Sequence, residues 1–250
     1  LPPAGEAVEP GKAGGIQAPQ DIPGRGMKIG GWQRFSLIDY PGRIGAVVFT
    51  QGCNFRCPYC HNPELVDPRR FGKTIPPGDI ISFLAGRRGK LDAVTITGGE
   101  PTRQGDLADF LTRVKDLGFL VKLDTNGSAP FTLAMLLEKG LVDYIAMDIK
   151  GPLEKYAAIA GTEVNGRDIV ASVSLISGAG IPHEFRTTLV APFITPEDVV
   201  ATAGLIPAES RYVLQRFVPA KLLASGLGEI NCFTDIVIAA LKVRLEKHLS

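Results

Sequence analysis

Residues 44–60 read IGAVVFTQGCNFRCPYC, a short apolar run that passes directly into three closely spaced cysteines. The first part, 44–50, is rich in β-branched and aromatic residues and predicts a buried strand. Cys53, Cys57 and Cys60 lie in the loop that follows, whereas Cys232 is isolated and is interpreted as a small buried residue. Thiolates bind zinc or iron–sulfur clusters, and both usually take four protein ligands. Three cysteines without a nearby fourth therefore predict a cluster with one open coordination position.

An alternation of strands and helices predicts the fold class. From residue 44 onward, short β-branched runs alternate with segments whose apolar residues recur at helical spacing, which is typical of βα units around a parallel sheet. Six strands are too few for a closed eight-stranded barrel. We therefore expect an α/β fold, an incomplete (β/α)6 TIM-like barrel with parallel strands, with a doubly wound sheet as the alternative. The predicted strands are residues 44–50, 93–97, 120–123, 143–147, 184–189 and 212–217.

The bulk composition limits the classes of function. The chain has 250 residues, 45% of them hydrophobic, which is enough for one sizeable core. Its 27 basic and 26 acidic residues give a net charge of +1 without a like-charged block, so we expect neither a nucleic-acid partner nor a membrane-binding face. Four cysteines, three of them clustered, are a poor disulfide framework and predict a reducing, cytoplasmic compartment.

The two ends of the chain differ in character. Residues 1–26 are rich in Pro, Gly and Ala and lack the apolar stretch of a secretory signal, so they predict a disordered leader. One hypothesis is that this leader extends upstream of a natural start at Met27, which opens the first patterned segment. We expect residues 27–250 to form one domain, which ends in a closing helix over residues 233–248.

Three further loops after predicted strands carry glycines or charged side chains. They are residues 98–101 (GGEP), 124–127 (DTNG) and 148–150 (DIK). In parallel βα folds the loops after the strands meet at one end of the sheet, where active sites form. We therefore expect these loops to meet the cysteine loop. Gly98 and Gly99 lack a Cβ, so a ligand can approach their backbone closely, although an isolated Gly-Gly pair is equally well a tight turn.

These motifs, in this order, resemble a known family. CxxxCxxC followed by GGEP after the next strand is similar to the radical S-adenosylmethionine (SAM) superfamily. Residues 30–42 (GGWQRFSLIDYPG), the Cys60-His61-Asn62 ending and the DTNG and DIK runs resemble glycyl-radical-enzyme activating enzymes, most closely the anaerobic ribonucleoside-triphosphate reductase activating proteins. The resemblance covers roughly residues 27–220, which is nearly all of the patterned chain.

The resemblance implies a pair of cofactors. Cys53, Cys57 and Cys60 would bind three irons of a [4Fe–4S] cluster, and the amino and carboxylate groups of SAM would take the open position on the fourth. An electron from the reduced cluster would then cleave the C5′–S bond and release a 5′-deoxyadenosyl radical. The backbone of the Gly98–Gly99 pair would meet the methionyl ammonium, and Glu100 would add an acceptor.

The loops after the third and fourth predicted strands would complete the cofactor site. By resemblance, Lys150 would meet the SAM carboxylate or ribose, and Asn126 belongs to the same cofactor-binding set. Asp124, Thr125 and Asp148 would together hold a monovalent cation near the cofactor. The alternatives are a helix cap for Asp124 and a surface ion pair between Asp148 and Lys150.

Further candidates flank the last cysteine or lie on the last strands. The resemblance places Tyr59 and His61 along the adenine and the cluster. His61 is disfavoured as a fourth iron ligand because it is adjacent to Cys60, and neighbouring residues cannot easily face one metal. The last two predicted strands carry three polar residues that would point toward SAM or the substrate backbone: Arg186, Gln215 and Arg216. For an arginine, the alternative is an ion pair at the edge of the sheet.

The resemblance implies an activase. The adenosyl radical would abstract a hydrogen from a backbone glycine of a glycyl radical enzyme, expected to be anaerobic ribonucleotide reductase, and a flavodoxin- or ferredoxin-type reductant would supply electrons. One alternative is a radical SAM enzyme acting on a small molecule, of the 7-carboxy-7-deazaguanine synthase kind. The other is a non-catalytic iron–sulfur or zinc module. Zinc is disfavoured because no fourth ligand lies at suitable spacing, and electron-transfer clusters normally have four protein ligands.

Overall fold

A single mixed sheet organises the molecule. The computed structural model describes residues 26–191, 193–218, 223 and 233–248. Within these residues, seven strands form one sheet in which each strand pairs with its neighbour in sequence. The strands are β1 (Ile29–Ser36), β2 (Gly45–Thr50), β3 (Ala93–Gly98), β4 (Leu120–Thr125), β5 (Tyr144–Asp148), β6 (His183–Leu189) and β7 (Arg211–Arg216).

Helices in the connections cover the outer face of the sheet. The longer ones bury one apolar face: in the third helix, Leu107, Leu111 and Val114 are almost fully buried, as the helical spacing of apolar residues predicts. The helices are α1 (Pro63–Val66), α2 (Pro77–Ala85), α3 (Leu107–Asp116), α4 (Pro130–Glu138), α5 (Tyr156–Ala160), α6 (Gly166–Gly178), α7 (Pro196–Ala203) and α8 (Asp235–His248).

The incomplete barrel is confirmed, with one strand added. The six predicted strands correspond to β2–β7, and all five pairings among them are parallel. β1 is a strand that the sequence did not predict, and it pairs antiparallel to β2 with two irregularities in register. Its sequence, IGGWQRFS, contains two adjacent glycines, which are depleted in strands. This segment is therefore a strand because it is hydrogen-bonded to β2, and not because of its own strand propensity.

The register of the parallel strands decides which side chains face the interior of the half-barrel. Asp124 lies opposite Ala146, and Asp148 lies opposite Arg186 on the next strand. Side chains alternate along a strand, so Lys122 shares the inner face with Asp124, whereas the intervening Leu123 faces the helices and is fully buried. The hydrophobic core thus lies between sheet and helices, and the carboxyl end of the inner face is polar.

The two ends of the half-barrel differ. At the amino end, Tyr40 from the loop between β1 and β2 is buried and packs on Tyr144, with 5.7 Å between ring centroids. At the carboxyl end, the loops after β2 to β5 surround a pocket. The described part of the chain contains no helix that is long and apolar enough to cross a membrane.

The predicted closing helix is confirmed as α8. It packs through Leu241 and Leu245 against Val199 and Ala203 of α7. The predicted leader, except for Gly26, lies outside the described residues. The assignment of residues 27–250 to one domain stays a prediction, and the burial predicted for Cys232 also falls outside the described residues.

Candidate active site

The cysteine loop is held by backbone contacts on both sides. Gly52 N donates to the carbonyl oxygen of Leu65 at 2.7 Å, and Arg56 N donates to that of Ala160, the last residue of α5, at 2.8 Å. Within the loop, Cys60 N donates to Cys57 O at 3.0 Å. These contacts hold the loop against α1 and α5, and all three cysteines line one pocket.

The three thiols lie in an environment that disfavours bare thiolates. Burial and the Glu100 carboxylate together raise the pKa of Cys53 to about 12. Burial also raises the pKa of Cys57 and of Cys60, with the Lys150 ammonium opposing the shift in both. Phe55 N donates to Cys53 Sγ at 3.3 Å, a bond that favours a thiolate there. Deprotonating the set therefore needs further positive charge of the kind that bound iron supplies.

The two glycines after β3 bring its loop directly onto the cysteine loop. Gly98 has a φ of 111°, which favours glycine, and a Cβ there would lie 2.5 Å from Thr50 N. A Cβ on Gly99 would lie 2.7 Å from the carbonyl carbon of Gly52 and closer still to its oxygen. Gly99 N donates to Thr50 O and Glu100 N donates to Gly52 O, each at 2.8 Å. The absence of Cβ atoms therefore serves backbone-to-backbone docking, and both glycines also line the pocket.

Glu100 is a buried carboxylate that joins two loops. It is 1% exposed. Its Oε1 accepts from Thr125 Oγ1 at 2.8 Å and from both the backbone nitrogen and the hydroxyl of Thr102, and its Oε2 accepts from Asn126 N at 2.7 Å. Burial raises the pKa of Glu100, and these bonds oppose the shift. Both oxygens are thus already bonded to protein donors, and the predicted contact of Glu100 with the cofactor stays a prediction.

Asn126 holds the cysteine loop from the side of β4. Its Nδ2 donates to Asn54 Oδ1 at 3.0 Å and lies 4.0 Å from Cys53 Sγ. Ser128 closes the set, since its backbone nitrogen donates to Asn126 Oδ1 and its hydroxyl accepts from Asn54 Nδ2. The loop after β4 therefore holds the cysteine loop beside Cys53 through side-chain hydrogen bonds.

Two carboxylates and three cations form a charge network on the inner face of β4–β6. Arg186 Nε bonds to Asp148 Oδ1 at 2.8 Å, and its other arm lies 3.5 Å from Asp124 Oδ1. Lys150 pairs with Asp148 at 3.2 Å, and Lys122, whose side chain is 4% exposed, pairs with Asp124. Burial would raise the pKa of Asp148, but Arg186 and Lys150 outweigh it and lower the pKa to about 2. The network members that line the pocket are two carboxylates and two cations, so their charges balance there.

Aromatic side chains join the cysteine loop to the far edge of the sheet. His61 stacks on Phe217 with 4.9 Å between ring centroids, and its Nε2 lies 3.0 Å from Val218 O. Tyr59 packs against Phe193 and Phe217 at centroid distances of 5.5 and 6.4 Å. We call Tyr59, His61, Phe193 and Phe217 the aromatic clasp. Because β2 and β7 are at opposite ends of the parallel part of the sheet, the clasp links its first loop to its last strand.

The match to a protein family covers most of this site. Residues 47–206 match the model described as the radical SAM superfamily, and this span holds the three cysteines, the glycine pair and the charge network. The chain belongs to the radical SAM superfamily. Radical SAM enzymes use a [4Fe–4S] cluster and S-adenosylmethionine, and these are the cofactors of this chain. It is therefore an oxidoreductase of that class.

Other radical SAM proteins resemble the chain in sequence and in fold. A Methanocaldococcus jannaschii protein named as a glycyl-radical enzyme activating enzyme is 34% identical over 198 residues, 76% of this chain and 80% of that relative. A pyruvate formate-lyase-activating enzyme of Streptococcus mutans is 31% identical over 180 residues, 66% of each chain. The crystal structure of Streptococcus suis SuiB bound to S-adenosylmethionine has a TM-score of 0.60 at 16% identity, covering 79% of this chain and 45% of that one. That likeness supports the fold alone.

This radical SAM chain brings most of the predicted residues together. Arg216 is an exception, since it pairs with Asp235 at the start of α8 instead of lining the pocket. Lys122 and Asn54 were missed. Lys122 could have been found because it lies two residues before Asp124 on the same strand face, and Asn54 because it follows Cys53 directly. The predicted residues that line the pocket are Cys53, Cys57, Tyr59, Cys60, His61, Gly98, Gly99, Glu100, Asp124, Thr125, Asn126, Asp148, Lys150, Arg186 and Gln215.

The donor set of this radical SAM site fits an iron–sulfur cluster better than a single metal ion. Three thiols face the pocket, yet the described residues include no group of three or more His, Cys, Asp or Glu side chains placed to hold one ion. The alternative of a non-catalytic iron–sulfur or zinc module is wrong because the chain belongs to the radical SAM enzymes, which use a [4Fe–4S] cluster. The monovalent cation stays a prediction, since Asp124 and Asp148 are already paired with cationic side chains.

Proposed function

We propose that this radical SAM enzyme removes a hydrogen atom from a backbone glycine of a glycyl radical enzyme, and that this partner is the anaerobic ribonucleotide reductase. The observation that carries the proposal is the pocket itself, in which three thiols lie beside the ion-paired Asp148, Lys150 and Arg186 at the open end of the half-barrel. Sequence likeness to a protein named as an activating enzyme, over 80% of that protein's length, supports it. The reductase as partner rests on the resemblance of the GGWQRFSLIDYPG and Cys-His-Asn motifs.

The cysteines and the opposite wall would divide the binding of the cofactors between them. Cys53, Cys57 and Cys60 would hold three irons, and the bound cluster would supply the electron that cleaves the C5′–S bond of SAM. An ammonium group has three donors, and Lys150 uses one on Asp148, so two remain for the SAM carboxylate. Arg186 holds Asp148 in place at 2.8 Å and thereby positions Lys150.

Two polar residues at the last strands suit a peptide backbone. Thr188 Oγ1 lies 3.3 Å from Gln215 Oε1, and both side chains line the pocket. Among the described residues, the amide nitrogen of Gln215 has no hydrogen-bond partner, so it can donate to a carbonyl oxygen of the partner's glycine loop. Val218, two residues beyond β7, is 61% exposed at the same edge and offers an apolar contact. Gln215 is thus proposed as a substrate-binding residue.

Electron paramagnetic resonance tests the reaction. The cluster-loaded protein is incubated without oxygen with SAM, a reductant and the anaerobic ribonucleotide reductase, and a glycine-centred doublet is expected. Cys57→Ala is the matched negative control because it lacks one cluster ligand. Pyruvate formate-lyase, tested in parallel, separates the partners. A doublet on that enzyme alone would overturn the reductase assignment, and SAM cleavage without a doublet on either would overturn the activase.

The small-molecule alternative is separated by the fate of the radical. An enzyme of the 7-carboxy-7-deazaguanine synthase kind would consume SAM only with its small substrate and would leave the partner protein without a radical. With deuterium at the partner's glycine Cα, the activase instead transfers deuterium into 5′-deoxyadenosine. Gln215→Ala should weaken this transfer while leaving iron content unchanged, because Gln215 contacts the peptide and not the cluster.

A further inference from the structure

A buried lysine lies inside the half-barrel, next to the pocket but outside its lining. Lys122 is on the inner face of β4, and its side chain is 4% exposed. Its ammonium pairs with Asp124 at 2.5 Å and lies 6.0 Å from the centre of the Tyr144 ring. Asp124 lines the pocket, whereas Lys122 does not. The ammonium therefore reaches Asp124 from the amino end of the half-barrel and not from the pocket.

Fold stability alone does not explain this buried ion pair. Taking two charges out of water costs much of what their mutual attraction returns, and apolar side chains of similar volume are often as stabilising or more so. A buried lysine without its carboxylate would cost more still. The pair of Lys122 with Asp124 is therefore better explained by the site that Asp124 adjoins.

The two carboxylates that were predicted to hold a monovalent cation are already paired with protein cations. Asp124 pairs with Lys122, and one arm of Arg186 lies 3.5 Å from the same oxygen, Oδ1. Asp148 bonds to Arg186 Nε at 2.8 Å and to Lys150 at 3.2 Å. Two carboxylates and three cations leave the network with one positive charge. A further cation would therefore enter a group of like charge, which opposes its binding.

The third predicted cation ligand is also engaged. Thr125 Oγ1 donates to Glu100 Oε1 at 2.8 Å and accepts from Gly127 N at 3.1 Å. In addition, the Arg186 guanidinium spans the two carboxylates, and an ion that bridged them would have to lie between the same two oxygens. The predicted set of ligands therefore does not fit a monovalent cation.

We propose that Lys122 is a positioning residue that takes the place of the predicted monovalent cation and makes SAM binding independent of such ions. Its ammonium balances Asp124, so Arg186 holds Asp148, the nearer of its two carboxylates. Without that ammonium, Asp124 would compete with Asp148 for Arg186. Asp148 would then draw Lys150 away from the cofactor. The proposal rests on the proposed contact between Lys150 and SAM, and it does not depend on the identity of the partner enzyme.

The affinity of the wild-type protein for SAM in different salts is the first test. Binding of SAM to the oxidised, cluster-loaded protein is measured by calorimetry in sodium, potassium or tetramethylammonium chloride at equal ionic strength. Tetramethylammonium is too large to enter the network and serves as the inert cation. We expect dissociation constants that agree within about twofold. An affinity roughly tenfold or more higher in sodium or potassium would overturn the proposal, as would the absence of SAM binding in every salt.

Variants of Lys122 provide the second test. Lys122→Ala removes the ammonium and leaves space for a small ion. In tetramethylammonium chloride its affinity for SAM should fall roughly tenfold or more, and sodium or methylammonium should restore it to within about threefold of the wild-type value. Lys122→Met removes the charge but fills the space, so neither ion should restore its affinity. Lys115→Ala is the matched control, because it breaks a 2.7 Å pair with Asp143 outside the pocket and should bind SAM like the wild type in every salt.

Two results for the variants would overturn the proposal. An unchanged affinity in Lys122→Ala would show that the site does not need the ammonium, and a loss that neither ion restores would show that the lysine acts through packing alone. Iron content is measured first for each variant, and the wild-type salt series decides the question if Lys122→Ala does not load the cluster. None of these measurements uses a glycyl radical enzyme, so failure of the activase reaction would leave their results intact.

Discussion

Gly99→Ala tests whether the glycine pair positions the cysteine loop. The added Cβ would lie 2.7 Å from the carbonyl carbon of Gly52, whereas non-bonded carbons prefer about 3.5–4.0 Å. The backbone of the two loops must therefore separate by roughly 1 Å. This movement would strain the bond from Glu100 N to Gly52 O, which is now 2.8 Å long. Overpacking costs about 1–3 kcal/mol and a lost hydrogen bond about 1, so we expect a loss of about 2–4 kcal/mol.

Two assays measure this effect. Urea unfolding of the cluster-free protein, followed by fluorescence of the single tryptophan, gives the change in free energy of unfolding. Iron content after anaerobic reconstitution reports whether Cys53, the residue after Gly52, still reaches the cluster. We expect iron loading well below the wild-type level, because Cys53 moves with the loop.

Gly78→Ala is the matched control. Its Cβ would meet nothing within 4 Å, and Gly78 lies in α2, where alanine is favoured over glycine. This variant should be unchanged or slightly more stable, with full iron content. The reasoning is refuted if the free energy of unfolding of Gly99→Ala lies within about 0.5 kcal/mol of the wild-type value and the variant loads iron fully. The close approach of the two loops would then have no role in forming the site.

Three further variants test the site. Cys57→Ala should fold, by circular dichroism, yet fail to assemble the cluster; full iron loading and SAM cleavage would refute its assignment as a ligand. Asp148 has a pKa of about 2 when folded against 3.8 as its ordinary value, so the stability it contributes is present above pH 4 and is lost as the pH falls toward 2. In cluster-free protein, Asp148→Asn should therefore show a smaller loss of unfolding free energy between pH 5 and pH 2, by up to about 2 kcal/mol; parallel curves would contradict this. His61→Ala removes the stack on Phe217 and should speed the release of iron to a chelator, with an unchanged release rate as the contrary result.

The local pattern of apolar residues was sufficient to predict much of the fold. The runs that became β2 to β7 are short and apolar on at least one face, and the stripe containing Leu111 became the buried side of α3. β1 was missed for a physical reason: its glycines give it no strand preference, and only pairing with β2 extends it. An edge strand of this kind depends on its neighbour, which a local pattern does not contain.

The site was predictable where function follows position along the strand. Cys53 was found from the spacing of the three cysteines, and Asp124 and Asp148 were found because each lies at the end of a strand at the same edge of a parallel sheet. The partners of those residues were harder to find. Glu100 lines the pocket as predicted, but its bonds to Thr125 and Asn126, 25 and 26 residues away, were not predicted. The stack of His61 on Phe217 depends on the curvature of the whole sheet, which no short window of sequence records.

The aromatic clasp also has a consequence for the order of assembly. The bond between His61 and Val218 joins residues 157 positions apart, so it forms only after the last strand has emerged and docked. A chain still being synthesised would carry its cysteines with one side of their loop unsupported. Contacts of such long range form late in folding because their loops are costly to close. The cysteine loop therefore gains its last support only when the barrel is complete.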